Sequence, residues 1–301
     1  MADERRRAMI GSGIVFGLAA LVGCSSAMTG GNAALRAAAT TTTTVAATTT
    51  AAPTTTSTTT TTTSTTTTTT TTTTVPATTT TVAQVAPVDP PLGAIGGSSG
   101  EEAARLQRRL LELGFWPGEP DGQFGLTTTQ AVMAFQKYVG FGDPDGRVDE
   151  ATAQALTAET VRPRARADSG TLIEIDKAKQ LLFFVVDGRT EWILNTSTGN
   201  GEEYTEPDQN TPGEIIEGVS LTPSGLHEVN RERADGWWEG DLGQIYRPKY
   251  FVGGVAVHGS SSIPNYPASH GCVRVSVPAM DWIWDSGILP VGTPVWVHDG
   301  A

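Results

Sequence analysis

"YFVGGVAVHGSSSIPNYPASHGCVRVSV", residues 250–277, holds one of the two cysteines in a chain of 301 residues. Cys272 follows His270 and Gly271, and a second histidine, His258, closes the apolar run upstream. The runs "YFVGGVAVH" and "VRVSV", joined by "GSSSIPNYPAS", read as two neighbouring strands whose ends bring His258 and Cys272 to face each other across a pocket. A thiol is a weak nucleophile until an adjacent imidazole takes its proton. Gly271 permits a tight turn whose N–H groups can converge on one point, as an oxyanion site for acyl transfer requires. Taken by itself, Cys272 has four readings: a small buried hydrophobe, half of a disulfide, a metal ligand or a nucleophile.

The rest of the chain bears on that choice. A formal net charge of -12 gives no basic face for nucleic acid, so no nucleic-acid partner is expected. The N-terminus carries Arg5 to Arg7, then the apolar run "IGSGIVFGLAALVG", too short for a span of roughly 20 residues and laid out as an export signal over residues 1–24. It ends in "LVGCSS", which resembles a bacterial lipobox and implies lipidation of Cys24 and a membrane anchor on the outer face of the cytoplasmic membrane. Export favours disulfides, yet with Cys24 cleaved off or lipidated Cys272 has no partner within the chain, which marks it as a reactive thiol.

Four segments follow from composition and pattern. Residues 25–99 read as a disordered, threonine-rich linker: from Ala37 to Val88 no residue is charged, and no apolar face exists to offset the entropy of ordering. Such a tether, roughly 45 Å end to end for ~70 residues, lets an anchored domain reach material standing off the membrane. Residues 100–158 read as a small three-helix unit. Ala103, Leu106, Leu110 and Leu113 share one helical face and Gly114 is its C-cap; Val132 and Phe135 mark a second helix; Ala151 and Leu156 mark a third. "VRPRARADSG", residues 161–170, reads as a short polar linker. Residues 170–299 read as a mainly β domain with a hairpin at Asp187-Gly188, further strands at Ser224 to Val229, Tyr250 to Val257 and Thr293 to Val297, and one helix capped by Ser276 and ended by Gly287.

The helical segment resembles the three-helix peptidoglycan-binding domain of bacteria. The resemblance rests on Leu106, Gln107, Asp121, Gly122, Phe124, Gly125, Thr128, Ala131, Val132, Phe135 and Gln136, with Asp149 standing where the family has glycine. Those residues serve core and turn geometry as well as they would serve a ligand. The pattern H-G…S-H-G-C-x-R, met by His258, Gly259, Ser269, His270, Gly271, Cys272 and Arg274, resembles the signature of the L,D-transpeptidases, the YkuD-like family. "STG" at 197–199, "TPSG" at 222–225 and "TPVWV" at 293–297 extend the likeness.

That resemblance implies a β-sandwich catalytic domain and a cysteine acyltransferase that remodels peptidoglycan through a thioester. It implies Cys272 as nucleophile, His258 as base and acid, the Gly259 carbonyl as orienter of the imidazole, and the N–H groups of Gly271 and Cys272 as oxyanion donors. His270 and Ser269 would shape the pocket and Arg274 would pair with a substrate carboxylate. Carbapenems would acylate Cys272. The expected partners are peptidoglycan stem peptides and glycan strands, with no cofactor and no metal. Among the aromatics of "RERADGWWEGDLGQIYRP" and its flank, Trp237, Trp238, Tyr246 and Tyr250 are expected either to line the donor site beneath a lid or simply to pack. The rival chemistries are a zinc site of His258, His270 and Cys272, hydrolysis of stem peptides as an L,D-carboxypeptidase, and a wall-binding lipoprotein without catalysis. His227 and His298 are expected to be bystanders.

Overall fold

The computed structural model describes residues 83–300. The export signal, Cys24 and the threonine tract up to residue 82 lie outside the described residues. Three helices come first: α1 (Glu101–Leu113), α2 (Leu126–Val139) and α3 (Glu150–Ala158). Gly114, with φ of 88°, ends α1 in the left-handed conformation that a residue with a Cβ resists.

Two glutamines organise this unit in the same way. Gln107 donates to Asp121 Oδ1, the Gln123 carbonyl and Thr128 Oγ1, and accepts from Gly122 N–H. Gln136 donates to the Arg147 carbonyl, Thr152 Oγ1 and Asp145 Oδ1, and accepts from Gly146 N–H. Each buried amide thus holds the Asp-Gly turn that leads into the following helix. Asp149 occupies the N-cap of α3, accepting from Thr152 N–H at 2.8 Å, which draws its carboxyl below the usual value. With φ at -79° the position needs no glycine, which explains the departure from the family pattern.

The expected linker overshoots at its C-terminal end. Leu92 is buried in the helical core, Val85, Val88 and Ile95 pack against it, and Gln84 and Gly96 form bridges with Val161 and Val148. Arg109, 1% exposed, ties this segment down by donating to the carbonyls of Ala86, Leu156 and Glu159. "PVDPPLGAI" carries enough apolar side chains at intervals to follow the helices, although its prolines keep it out of regular structure.

The β region contains β1 (Leu172–Asp176), β2 (Leu181–Val186), β3 (Arg189–Asn195), β4 (Glu203–Pro207), β5 (Ile215–Val219), β6 (Gly225–Glu228), β7 (Arg231–Glu232), β8 (Trp237–Gly240), β9 (Gly243–Val252), β10 (Val255–Ser260), β11 (Val273–Ser276), helix α4 (Val277–Ser286) and β12 (Pro294–His298). One sheet runs β3-β2-β1-β12-β6, with β12 parallel to β1. The second runs β11-β10-β9-β7 with β8 also on β9, and β10 and β11 are parallel. Strands β4 and β5 form a separate hairpin. The two large sheets share a core in which Ile173, Ile175, Leu182 and Phe184 meet Phe251, Val257, Val273 and Val275, closed by Met280 and Ile283 of α4. Ser276 caps α4 by accepting from Ala279 N–H, and Gly287 ends it at φ 64°.

Three expectations change. "YFVGGVAVH" is not one strand: the chain reverses at Gly253-Gly254 between β9 and β10, a turn hidden by apolar residues on both sides. The charged stretch before "TPSG" forms the β4–β5 hairpin, which the sequence left unassigned. The 161–170 linker is held along the sheet: Glu174 accepts from Arg166 and Ala167 N–H, Ala165 N–H donates to Thr190, and Arg162 donates to the Glu191 carbonyl.

The helical unit therefore packs directly on the outer face of the first sheet. In "LLFFVV", Leu182 and Phe184 enter the sandwich while Leu181, Phe183 and Val185 join the helical core, so both faces of β2 are buried. Trp116, just after α1, stacks against Trp282 of α4 with ring centroids 5.2 Å apart, and Trp192 and Phe184 surround the same indole. Lys137 of α2 crosses the seam to the carbonyls of Gln180 and Thr196, and burial pushes its ammonium down to about 7.

Candidate active site

The parallel pair β10–β11 sets the site by period-two alternation. Val257 pairs with Val273 and His258 with Arg274. Val257, Val273 and Val275 point into the core, so His258, Cys272 and Arg274 share the opposite face and line one cleft of about 340 Å³. Cys272 is a free thiol one residue ahead of β11.

His258 is 3% exposed, and its Nδ1 lies 2.8 Å from the Gly259 carbonyl oxygen. A carbonyl only accepts, so Nδ1 carries the proton and Nε2 keeps a free lone pair. Burial holds the imidazole down at about 4, with the Gly259 bond opposing and the Arg274 charge adding to the depression. Burial also pushes the Cys272 thiol up, opposed by Ala256 N–H and by the Arg274 charge. The resting pair is a neutral thiol and a neutral imidazole. Gly259 itself is required by crowding: a Cβ there would lie 2.9 Å from Tyr246 and 3.2 Å from Met280.

The turn carrying Cys272 is braced throughout. Gly271 sits at φ 133°, and a Cβ would lie 2.6 Å from the Leu221 carbonyl. Its own carbonyl accepts from Thr222 Oγ1 at 2.6 Å, and Thr222 also accepts from Gly199 N–H. Ser269 Oγ donates to the Cys272 carbonyl and accepts from Gly271 N–H at 3.1 Å. This changes one expectation. The Gly271 N–H is turned onto Ser269 instead of into the cleft, because the Ser269 side chain folds back to close the turn.

Arg274 lines the cleft, and among the described residues no carboxylate pairs with it within 4.0 Å. Its backbone is fixed on both sides by Ser197, and Thr196 Oγ1 donates to its carbonyl. His270 lines the cleft too, with Nε2 2.9 Å from Glu206 Oε1 and its ring edge-on to Tyr204 at 4.9 Å. Tyr204 and Glu206 were not legible in the sequence, because their strand β4 lies in a charged segment with no apolar face. The turn between β8 and β9, Asp241 and Leu242 included, completes the wall.

Tyr250 does not reach the cleft. It is 6% exposed on β9 and lies beneath Arg231, whose guanidinium carbon is 4.0 Å from the ring centroid. Trp237 packs edge-on to Tyr246, Trp238 is covered by Arg233, and Tyr246 donates to Asp281. None of the four lines the cleft: Tyr246 and Tyr250 pack along β9, while Trp237 and Trp238 stay largely exposed on β8. His227 lies against the Pro223 carbonyl and His298 against Glu174, both away from the cleft. Among the described residues no three His, Cys, Asp or Glu side chains gather as a metal set, since His258 and His270 are turned to other partners.

The family model for the L,D-transpeptidase catalytic domain (YkuD) matches residues 170–297, and that for a putative peptidoglycan binding domain matches residues 99–156. The crystal structure of an L,D-transpeptidase from Xylanimonas cellulosilytica is similar over 70% of this chain and 100% of that one, at 47% identity and a TM-score of 0.60. A spore cortex-lytic enzyme of Bacillus cereus is 41% identical over 76 residues, 25% of this chain and 29% of that protein. The N-acetylmuramoyl-L-alanine amidase CwlM of Mycobacterium tuberculosis is 42% identical over 57 residues, 19% of this chain and 14% of that protein. The chain thus spans less than a third of either curated relative.

Proposed function

The chain belongs to the L,D-transpeptidase family, and on that footing we propose that it is a peptidoglycan L,D-transpeptidase working through a thioester on Cys272. The observation that carries the assignment of roles is the shared face of His258, Cys272 and Arg274, with the imidazole proton committed to Gly259. His258 Nε2 accepts the thiol proton as sulfur attacks the donor peptide carbonyl. The C–N bond then breaks, the proton passes to the departing amine, and the acyl group stays on sulfur. An acceptor amine attacks the thioester, loses a proton to His258, and releases the thiol.

Cys272 N–H serves the oxyanion, while the Gly271 N–H is engaged by Ser269 and serves the turn. Arg274, which meets no carboxylate among the described residues, pairs with a carboxylate of the stem peptide. A cleft of about 340 Å³ suits a short peptide stem better than a glycan strand. The helical unit binds peptidoglycan, and the protein works exported and associated with the cell wall. A membrane anchor would rest on Cys24, outside the described residues.

The test is intact-mass spectrometry of the protein mixed with a tetrapeptide-stem disaccharide, then with an added amine acceptor. We expect an adduct on Cys272 that is absent in Cys272→Ala, unaffected by chelator and discharged as a cross-linked product. Discharge to water alone would make the protein an L,D-carboxypeptidase. No adduct on a folded protein would leave it a wall-binding protein and sink the proposal.

A further inference from the structure

We infer that Gln130, on helix α2 of the helical unit, is a positioning residue for the turn that carries Cys272, which makes the helical unit part of the catalytic apparatus. The inference rests on the acyl-transfer reading of Cys272.

The chain between His258 and Cys272 leaves β10 and returns to β11 as a connection of irregular backbone. Such a connection keeps a fixed shape only where its polar groups are tied. From the β region it is held by Ser197 Oγ, which donates to the Tyr266 carbonyl at 2.8 Å, and by the Thr198 carbonyl, which accepts from Ala268 and Ser269 N–H. Its other end is held from the helical unit. Gln130 Nε2 donates to the Ile263 carbonyl at 3.3 Å, and Asn265 Nδ2 reaches the Pro144 carbonyl at 3.3 Å.

The Ile263 carbonyl only accepts, so it takes the Gln130 amide nitrogen, and Gln130 Oε1 then accepts from Asn195 Nδ2 at 2.6 Å. Asn195 ends β3, and the next residues, Thr196, Ser197 and Thr198, are those that hold Arg274 and Ser269. One side chain of the helical unit therefore links the two rails between which the Cys272 turn is set. Gln130 makes no hydrogen bond inside its own unit comparable to those of Gln107 and Gln136. Its polar atoms serve the seam.

The test uses Gln130→Leu, which removes both bonds, Gln130→Glu, which keeps the acceptor for Asn195 and loses the donor to Ile263, and Asn265→Ala. Two rates are measured on each: acylation of Cys272 by the tetrapeptide-stem donor, and alkylation of Cys272 by iodoacetamide across pH. Displacing a reacting group costs rate far more than affinity. Acylation should slow on the order of tenfold in kcat with KM little changed in Gln130→Leu and Gln130→Glu. The alkylation midpoint should move upward, because the thiol loses its fixed place beside Ala256 N–H and Arg274. Thermal unfolding identifies any variant that fails to fold, in which case the remaining two decide. Wild-type kcat and an unmoved midpoint in all folded variants would overturn the inference. If the unaltered protein takes no donor at all, the proposed function fails instead, and the alkylation midpoint alone decides the positioning role.

Discussion

His258 is buried and Cys272 half-buried, and the loss of water acts on the two groups in opposite directions. It lowers the imidazole to about 4 and raises the thiol, so neither group is charged at neutral pH. Under the proposed mechanism the thiol proton moves to His258 as the carbonyl is attacked, so the rate would depend on Nε2 being unprotonated. That dependence sets the acid limb. An imidazole near the ordinary value of about 6.5 would leave roughly a tenth of the sites competent at pH 5.5, whereas a depressed one leaves nearly all. Acylation of Cys272 at pH 5.5 is therefore expected to run close to its rate at pH 7, with the fall coming near pH 4; a midpoint around 6.5 would contradict this environment. Arg274 acts on the same pair from the same face, favouring thiolate and disfavouring imidazolium. In Arg274→Gln the midpoint for iodoacetamide alkylation should move up, and the donor KM should rise because the carboxylate partner is gone.

The elements differ in how openly the sequence displays them. Helices α1 and α4 and the Asp187-Gly188 hairpin were legible because their stops are local: Gly114, Ser276 with Gly287, and two residues at positive φ. His258, Cys272 and Arg274 were legible because motif and period-two spacing agree. The hairpin β4–β5 was not, since "GEEYTEP" and "GEIIEGV" rest on the cleft and leave Ile215 and Val219 exposed, giving no buried face to read. The break at Gly253-Gly254 was masked by a run that is apolar on both sides. Gln107 and Gln136 matched a family pattern, but only the structure gives their reason, an amide that holds each Asp-Gly turn. Replacing either by leucine leaves a glycine N–H without its partner and takes a donor away from a buried threonine hydroxyl. Gln107→Leu and Gln136→Leu should each lower stability by roughly 2–3 kcal/mol in urea unfolding, while an exposed change such as Gln154→Leu should stay within about 0.5 kcal/mol. Equal effects of all three would mean the turns hold themselves.

At the scale of the molecule, the decisive fact is that the apolar strand β2 has two covered faces. Its sequence, "LLFFVV", reads only as one arm of a hairpin and names no second cover. The structure supplies it: the helical unit, brought in by the 161–170 segment along Glu174 and Thr190 and locked by Trp116 against Trp282. A tethered module swinging free of the catalytic domain would leave Leu181, Phe183, Val185 and Ile193 in water, yet all four are at most 2% exposed. Exposing a large apolar side chain costs about 1.5–3 kcal/mol, so four come to roughly 6–12 kcal/mol, comparable to the ~5–15 kcal/mol that holds a domain together. The strand that would suffer is also the neighbour of β1, on which β12 and the sandwich core depend. A chain shortened to residues 168–300 should therefore show a weak or absent cooperative transition in urea and aggregate, whereas residues 83–300 should unfold in a single step. The same four positions changed to Ser or Thr should restore solubility to the short chain without restoring the acylation rate, because Gln130 and its hold on the Ile263 loop are missing. A short chain with both the midpoint and the acylation rate of the long one would show that the seam is an accident of packing and that the two units work independently.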